Sequence, residues 1–206
     1  EQRHTTRLFD RVGRHLELTE AGRLFLPEAH AVLARADDAR RVLEELDGLM
    51  RGEVRIAASQ TVATYWLPPR LARFSISAPN LRFHLDVGNT EQSAARVLSG
   101  EADIGLVEGE TTEDMLTRRT IGEDRIGLYA APDHPLAARK LCGADLEEAL
   151  WVMREKGSGT RDHATRGLSI SGVDVSALHV LLELPSNGAA LEAVAAGQLV
   201  TAFDLT

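Results

Sequence analysis

Apolar side chains recur at Phe25, Ala29, Val32, Ala36, Ala39, Leu43, Leu46 and Met50, spaced alternately four and three residues apart. That is a heptad seam, and Arg35, Asp37, Asp38, Arg40, Arg41, Glu44 and Glu45 fall between its positions. Thr19 precedes the pattern as a helix cap, and Glu20 places a negative charge in the first turn, where the helix dipole favours it. The only breaker before Met50 is Pro27, early enough to kink the first turns without ending the helix. A helix of ~30 residues at 1.5 Å rise is ~45 Å long and outreaches a small domain. Its seam therefore calls for a second copy, with Phe25, Val32, Ala36, Ala39, Leu43 and Leu46 as the dimerisation contacts. The plainer alternative is an amphipathic helix laid on its own domain.

The 206 residues leave room for that rod and one large domain or two small lobes. No apolar run approaches the roughly 20 residues of a membrane span, and no charged-then-apolar leader opens the chain. A single cysteine, Cys142, rules out an internal disulfide and a cysteine-built metal cluster, which fits a reducing, cytoplasmic setting. The net charge of −8 has the wrong sign for a surface coated in phosphate contacts, so any nucleic-acid face must be local. Arginines 3, 7, 11, 14 and 23 supply one mild basic cluster, open also to the reading of a solvated charged face.

After Gly48 and Gly52 the pattern changes to strands alternating with helices. A strand over Glu53 to Ala58 runs into Ser59-Gln60-Thr61, and Pro68 suits the first turn of a helix reaching Pro79. Strands follow at Leu81 to Val87 and Ala102 to Val107, with a helix through Ala94, Val97 and Leu98 between them. Another strand at Leu128 to Ala131 leads into the stiff connector Pro132-Asp133-His134-Pro135. A second alternation then runs through a short helix near Asp145 to Ala149, strands at Leu150 to Arg154 and Leu178 to Leu184, and a helix at Gly188 to Ala196 capped by Ser186. Such alternation predicts open parallel sheets in two halves around a hinged cleft.

Ligands of open sheets bind at the carboxyl ends of strands. Ser59-Gln60-Thr61 places hydroxyls and free N–H groups at the positive end of a helix, a ready anion site. Gly157-Ser158-Gly159-Thr160-Arg161 does the same in the second half, with Arg161 available for a salt bridge. The alternative, that these residues only cap helices, stays open. His84, His163 and His179 lack metal-ligand spacing, Asp103 and Glu108 have no acid–base partner at a recognisable spacing, and no nucleophile–base pair is visible.

The chain resembles the LysR-type transcriptional regulators nearly end to end. Leu8-Phe9-Asp10-Arg11, Arg14 and Leu18-Thr19-Glu20-Ala21-Gly22 are similar to the family's wing and linker-helix start. Leu67-Pro68 with Phe74 and Pro79, Gly100-Glu101-Ala102-Asp103-Ile104-Gly105-Leu106, His134-Pro135-Leu136 and the Gly157 to Arg161 loop resemble its effector domain. The resemblance implies an α/β fold: a remnant of a winged helix-turn-helix over 1–18, a linker helix over 19–50 and a two-lobed periplasmic-binding-protein-like effector domain over 53–206. Lobe I would span about 53–130 and lobe II about 135–206. It implies a homodimer or tetramer, double-stranded DNA as partner, a small anionic metabolite as effector, and neither cofactor nor metal.

By the same resemblance Ser59, Gln60, Thr61 and Thr160 face the effector, with Gly159, Asn89, Thr90 and Thr201 as further candidates. Arg7, Arg11 and Arg14 are candidates for DNA-backbone contact, or are solvated hairpin charges. The chain departs from the family at His4-Thr5 and at Gln198-Leu199, where the family's second turn glycine is replaced. It begins at Glu1, at the tail of the expected reading helix, and stops at Thr206, before the expected return to lobe I. A fragment unable to read base sequence by itself is therefore the expectation. A solute-binding module without DNA activity would show a leader and no rod. An enzyme of the binding-protein fold would line its cleft with Cys, Lys or paired carboxylates.

Overall fold

A computed structural model describes residues 6–13, 15–46, 52–111, 113–137 and 139–204, without the side chains of 34, 37, 38, 40–46 and 204. Arg14 and the side chains of Leu43 and Leu46 thus lie outside the described residues.

A hairpin comes first. β1 (Phe9–Val12) pairs antiparallel with β2 (His15–Leu18), and the 27-residue α1 (Glu20–Leu46) follows at once. Thr19 joins the two. Its hydroxyl accepts the Gly22 N–H at 3.0 Å and donates to the Arg7 carbonyl at 2.7 Å, while its own N–H donates to the Leu8 carbonyl at 3.0 Å. Gly22 permits this approach, because a Cβ there would sit 2.1 Å from the Leu8 carbonyl oxygen. Along α1 the seam faces water: Phe25, Val32, Ala36 and Ala39 are exposed, as are Leu24 and Leu33. His30 Nδ1 lies 3.2 Å from Glu101 Oε1, which brings the rod against the first lobe.

The first lobe is a three-stranded parallel sheet ordered β4-β3-β5, from β3 (Gly52–Ser59), β4 (Leu81–Gly88) and β5 (Ile104–Leu106). Ile56, Ala57 and Ala58 in its central strand are buried, as expected where helices cover both faces. One face packs Ile56, Ala58, Phe83 and Leu85 against Ala63, Leu67 and Leu71 of the first helical segment. Asp103 ties β3 to the approach of β5: its carboxylate accepts the Arg55 N–H at 2.8 Å and receives the Arg55 guanidinium at 2.8 Å.

That first helical segment starts earlier than Pro68. It opens at Gln60, widens into a π-helical turn over Val62–Trp66, and continues as α2 (Leu67–Ser77). The Leu67 N–H donates five residues back to the Val62 carbonyl. Pro68 and Pro69 have no N–H to offer the next carbonyls, and the wide turn just ahead of them accommodates that break. After α3 (Thr90–Leu98), the strand expected at Ala102 to Val107 is reduced to β5.

The second lobe comprises β6 (Ile126–Ala130), α4 (Gly143–Glu147), β7 (Leu150–Arg154), α5 (Gly159–Ile170), a 3₁₀ turn (Val175–Ala177), β8 (His179–Leu184), α6 (Asn187–Ala195) and β9 (Val200–Asp204). Its sheet runs β6-β9-β7-β8. Two differences from expectation meet here. The sheet is mixed, because β6 lies antiparallel to β9, and β6 belongs to this lobe although it falls within the expected 53–130. The Tyr129 and Phe203 rings, stacked at 3.9 Å, bind the two strands. Alternation along β7 sends Trp151 and Met153 toward α5 and Val152 toward α6. Trp151 is fully buried, and its indole N–H donates to the Leu146 carbonyl at 2.7 Å. Ser186 caps α6 as expected, accepting the Ala189 N–H.

Candidate functional site

Parallel strands followed directly by helices leave the helix N-termini on the edge from which the strands emerge. In each lobe that edge faces the other lobe, and the Ser, Thr and Asn residues that open helices meet there along two seams.

In the first seam Ser59 ends β3 and Thr61 lies in the first turn of the helix after it, while Thr160 is the second residue of α5 and Asn187 the first of α6. The Thr61 and Thr160 hydroxyls are 3.4 Å apart. Asn187 Nδ2 donates to Thr61 Oγ1 at 2.9 Å, and the Asn187 N–H donates to Gln60 Oε1 at 3.2 Å. Thr61, Thr160 and Asn187 are each at most 1 % exposed. Polar groups drawn so deep normally satisfy one another in full. Here they do not: Ser59, 2 % exposed, has no hydrogen-bond partner for Oγ among the described residues. Ser158, equally buried at the N-cap of α5, makes no side-chain cap bond either. Two helix starts thus lack the hydroxyl caps their serines could give, and a helix start holds up to four N–H groups without an intrahelical acceptor.

In the second seam the same residue types have their partners. Asn89 caps α3 in a reciprocal box with Gln92, and its Nδ2 reaches the Lys156 carbonyl at 3.4 Å. The Thr90 hydroxyl donates to the Glu108 carbonyl at 2.9 Å and accepts the Gly159 N–H at 3.2 Å. The Glu91 N–H donates to the Gly157 carbonyl at 3.3 Å. Gly159 is required by this contact, since a Cβ there would stand 2.3 Å from the Glu108 carbonyl oxygen.

The structure thus brings Ser59, Gln60, Thr61 and Thr160 to one seam and Asn89, Thr90 and Gly159 to the other. Thr201 is buried on β9 opposite Tyr129, outside both sets of hydrogen bonds. Arg161 has its salt bridge, donating to Glu183 Oε2 at 2.6 Å and to the Arg154 carbonyl at 2.7 Å. That hydrogen bond holds the Glu183 carboxyl below its ordinary value. The sequence reading missed Asn187: behind a capping serine it looks like the first residue of an ordinary helix, and only the tertiary fold sets it against Thr61. Arg7 and Arg11 are exposed on the hairpin. No group of three or more potential metal ligands occurs among the described residues, and no described helix is long and apolar enough to cross a membrane.

Two α/β lobes meeting at strand ends, with helix N-termini facing across the gap, define a periplasmic-binding-protein-like effector domain. Residues 47–205 match the LysR substrate binding domain. The chain is 35 % identical over 198 residues to the HTH-type transcriptional regulator CysL of Bacillus subtilis (strain 168), covering 96 % of this chain and 65 % of that protein. It is 32 % identical over 201 residues to the probable RuBisCO transcriptional regulator of Cyanidium caldarium, covering 96 % of this chain and 63 % of the relative. Among solved structures, the Synechocystis PCC6803 CcmR regulatory domain in complex with 2-PG superposes with a TM-score of 0.66 at 31 % identity, over 75 % of this chain and 73 % of that one. The chain belongs to the LysR family of transcriptional regulators. It spans just under two thirds of the length of these curated relatives.

Proposed function

We propose that this chain is the sensing part of a LysR-type transcription regulator, working in the cytoplasm and binding a small oxyanionic metabolite at the Ser59–Thr61–Thr160 seam. One observation carries this: Ser59, buried at the start of its helix, has no partner for Oγ among the described residues, and Ser158 gives α5 no cap of its own, at the place where the lobes touch. Such a site suits a carboxylate, sulfate or phosphate, whose charge complements the helix dipoles and whose oxygens accept from N–H and O–H groups. The relative whose regulatory domain was solved with 2-PG supports this ligand class. The chemistry is binding without turnover.

Ligand closure would reset the lobes relative to each other, and α1, in contact with the first lobe through His30 and Glu101, would carry the change to DNA-binding heads. Coupling of this kind is typically worth ~1–3 kcal/mol. The exposed stripe through Phe25, Val32, Ala36 and Ala39 is our proposed dimer seam, continued by Leu43 and Leu46. Arg7, Arg11 and Arg14 are the proposed DNA-phosphate contacts of the wing.

Calorimetric titration of the 206-residue chain with sulfate, phosphate, 2-phosphoglycolate and shikimate tests the first step. Saturable binding of at least one anion, weakened about tenfold or more in T160V, is expected. Heat changes indistinguishable from buffer for all four would overturn it.

A further inference from the structure

Arg154 ends β7 with its guanidinium buried, the side chain only 3 % exposed. Two of its nitrogens grip the Glu155 carboxylate, Nε to Oε2 at 2.9 Å and Nη2 to Oε1 at 3.0 Å. The third, Nη1, donates to Asn187 Oδ1 at 2.6 Å. A guanidinium can only donate, so whatever it touches must be an acceptor. The carboxamide of Gln60 is held by the Asn187 N–H on its oxygen and by Thr64 Oγ1 on its nitrogen. That of Asn187, the other amide of the seam, could face either way, offering an acceptor or a pair of donors. Arg154 removes the choice: the oxygen is held inward, and Nδ2, with both its protons, is turned to Thr61 and the other lobe.

Building on the anion reading above, we infer that Asn187 is a specificity-determining residue of the seam, and that Arg154 is the positioning residue that sets its polarity. Donors then run in one direction, from the guanidinium through the amide to the Thr61 oxygen, so the seam presents N–H and O–H groups outward. An oxyanion entering between Thr61 and Thr160 replaces Thr61 as acceptor for Nδ2. Glu155 neutralises the Arg154 charge, which makes the recognition one of oriented dipoles and not of net charge. Ammonium-bearing ligands, which need acceptors, are refused.

The test uses inorganic phosphate and 2-phosphoglycolate titrated into the full 206-residue chain, with Tm recorded for every protein. N187D keeps size and an acceptor for Arg154 but replaces the donor with a carboxylate oxygen. It should bind both anions roughly tenfold or more weakly at an unchanged fold. If N187D is destabilised, N187A carries the same expectation. R154M should weaken binding less, R154K should recover part of the loss, and R154M added to N187A should have no further effect on affinity. A merely structural arginine would not give that last result. Wild-type affinity for phosphate in a folded N187D or N187A overturns the role of Asn187, and an additive loss in the double variant overturns that of Arg154. If the wild-type chain binds neither of these two anions, this inference falls; the effector reading falls with it only if sulfate and shikimate fail as well.

Discussion

The two seams between the lobes are built from the same materials and differ in one respect. Both set Ser, Thr and Asn side chains at helix starts against the opposite lobe. At the Asn89–Thr90 seam the two side chains that open α3 both have partners: a reciprocal cap, a carbonyl, and a backbone N–H across the gap. At the Thr61–Thr160 seam the two hydroxyls stand at 3.4 Å, Ser59 Oγ has no partner among the described residues, and Ser158 does not cap. A satisfied polar seam acts as a strut. One with buried donors left over has a place for something else, because an unmet buried polar group costs about 1–3 kcal/mol. Residue type alone cannot separate these roles, since hydroxyls and amides serve both.

Exchanging the roles gives the largest expected effects. T90V leaves the Glu108 carbonyl and the Gly159 N–H without their shared partner and should destabilise the fold by about 1–3 kcal/mol in urea unfolding. Its anion affinity should follow only through that loss. T61V should lower anion affinity roughly tenfold, at a cost in stability below that of T90V, since it strips one buried group, Asn187 Nδ2, of its partner where T90V strips two. Equal effects on both readouts in both variants would erase the distinction between strut and site.

S59A sharpens the contrast at a smaller scale. Deleting a buried hydroxyl that has no protein partner should leave Tm unchanged or slightly raised, while anion affinity falls a few-fold. A clear loss of stability without ligand would show that Ser59 has a structural partner after all.

The smallest effect concerns the α5 start, held by Arg161 and Glu183. The Glu183 carboxyl is lowered chiefly by the Arg161 hydrogen bond, so its contribution to stability is complete above the ordinary glutamate value. It is lost as pH falls through the lowered one. E183Q should therefore flatten the acid side of the Tm–pH profile below about pH 4.5 and leave neutral Tm nearly unchanged. An unaltered acid slope would remove Glu183 from the account.

Much of this fold is legible in the chain. β7 falls at Leu150–Arg154 as expected, and Thr19 and Ser186 cap their helices, because these signals are local. Thr61 and Thr160 were expected to share one crevice, and they stand within contact. What stayed hidden was tertiary. Asn187 carries no pattern of its own, and Asp103 lacks a sequence neighbour to mark it as the partner of Arg55, 48 residues away. β6 reads as a strand without saying which sheet it joins. The π turn is invisible for another reason: tandem prolines suggested a helix start, whereas the chain carries an existing helix across them.

Leu24, Val32 and Leu33 stand well over half exposed on α1, and that has a consequence beyond shape. A lone helix with so much oil in water gains little from its own domain, so in the proposed dimer its order would depend on how often it meets a companion. Under that reading copy number becomes a second input beside the proposed metabolite. Dilution would then loosen the lever that closure must push, and a scarce sensor would grip its ligand yet pass on a weaker message than an abundant one.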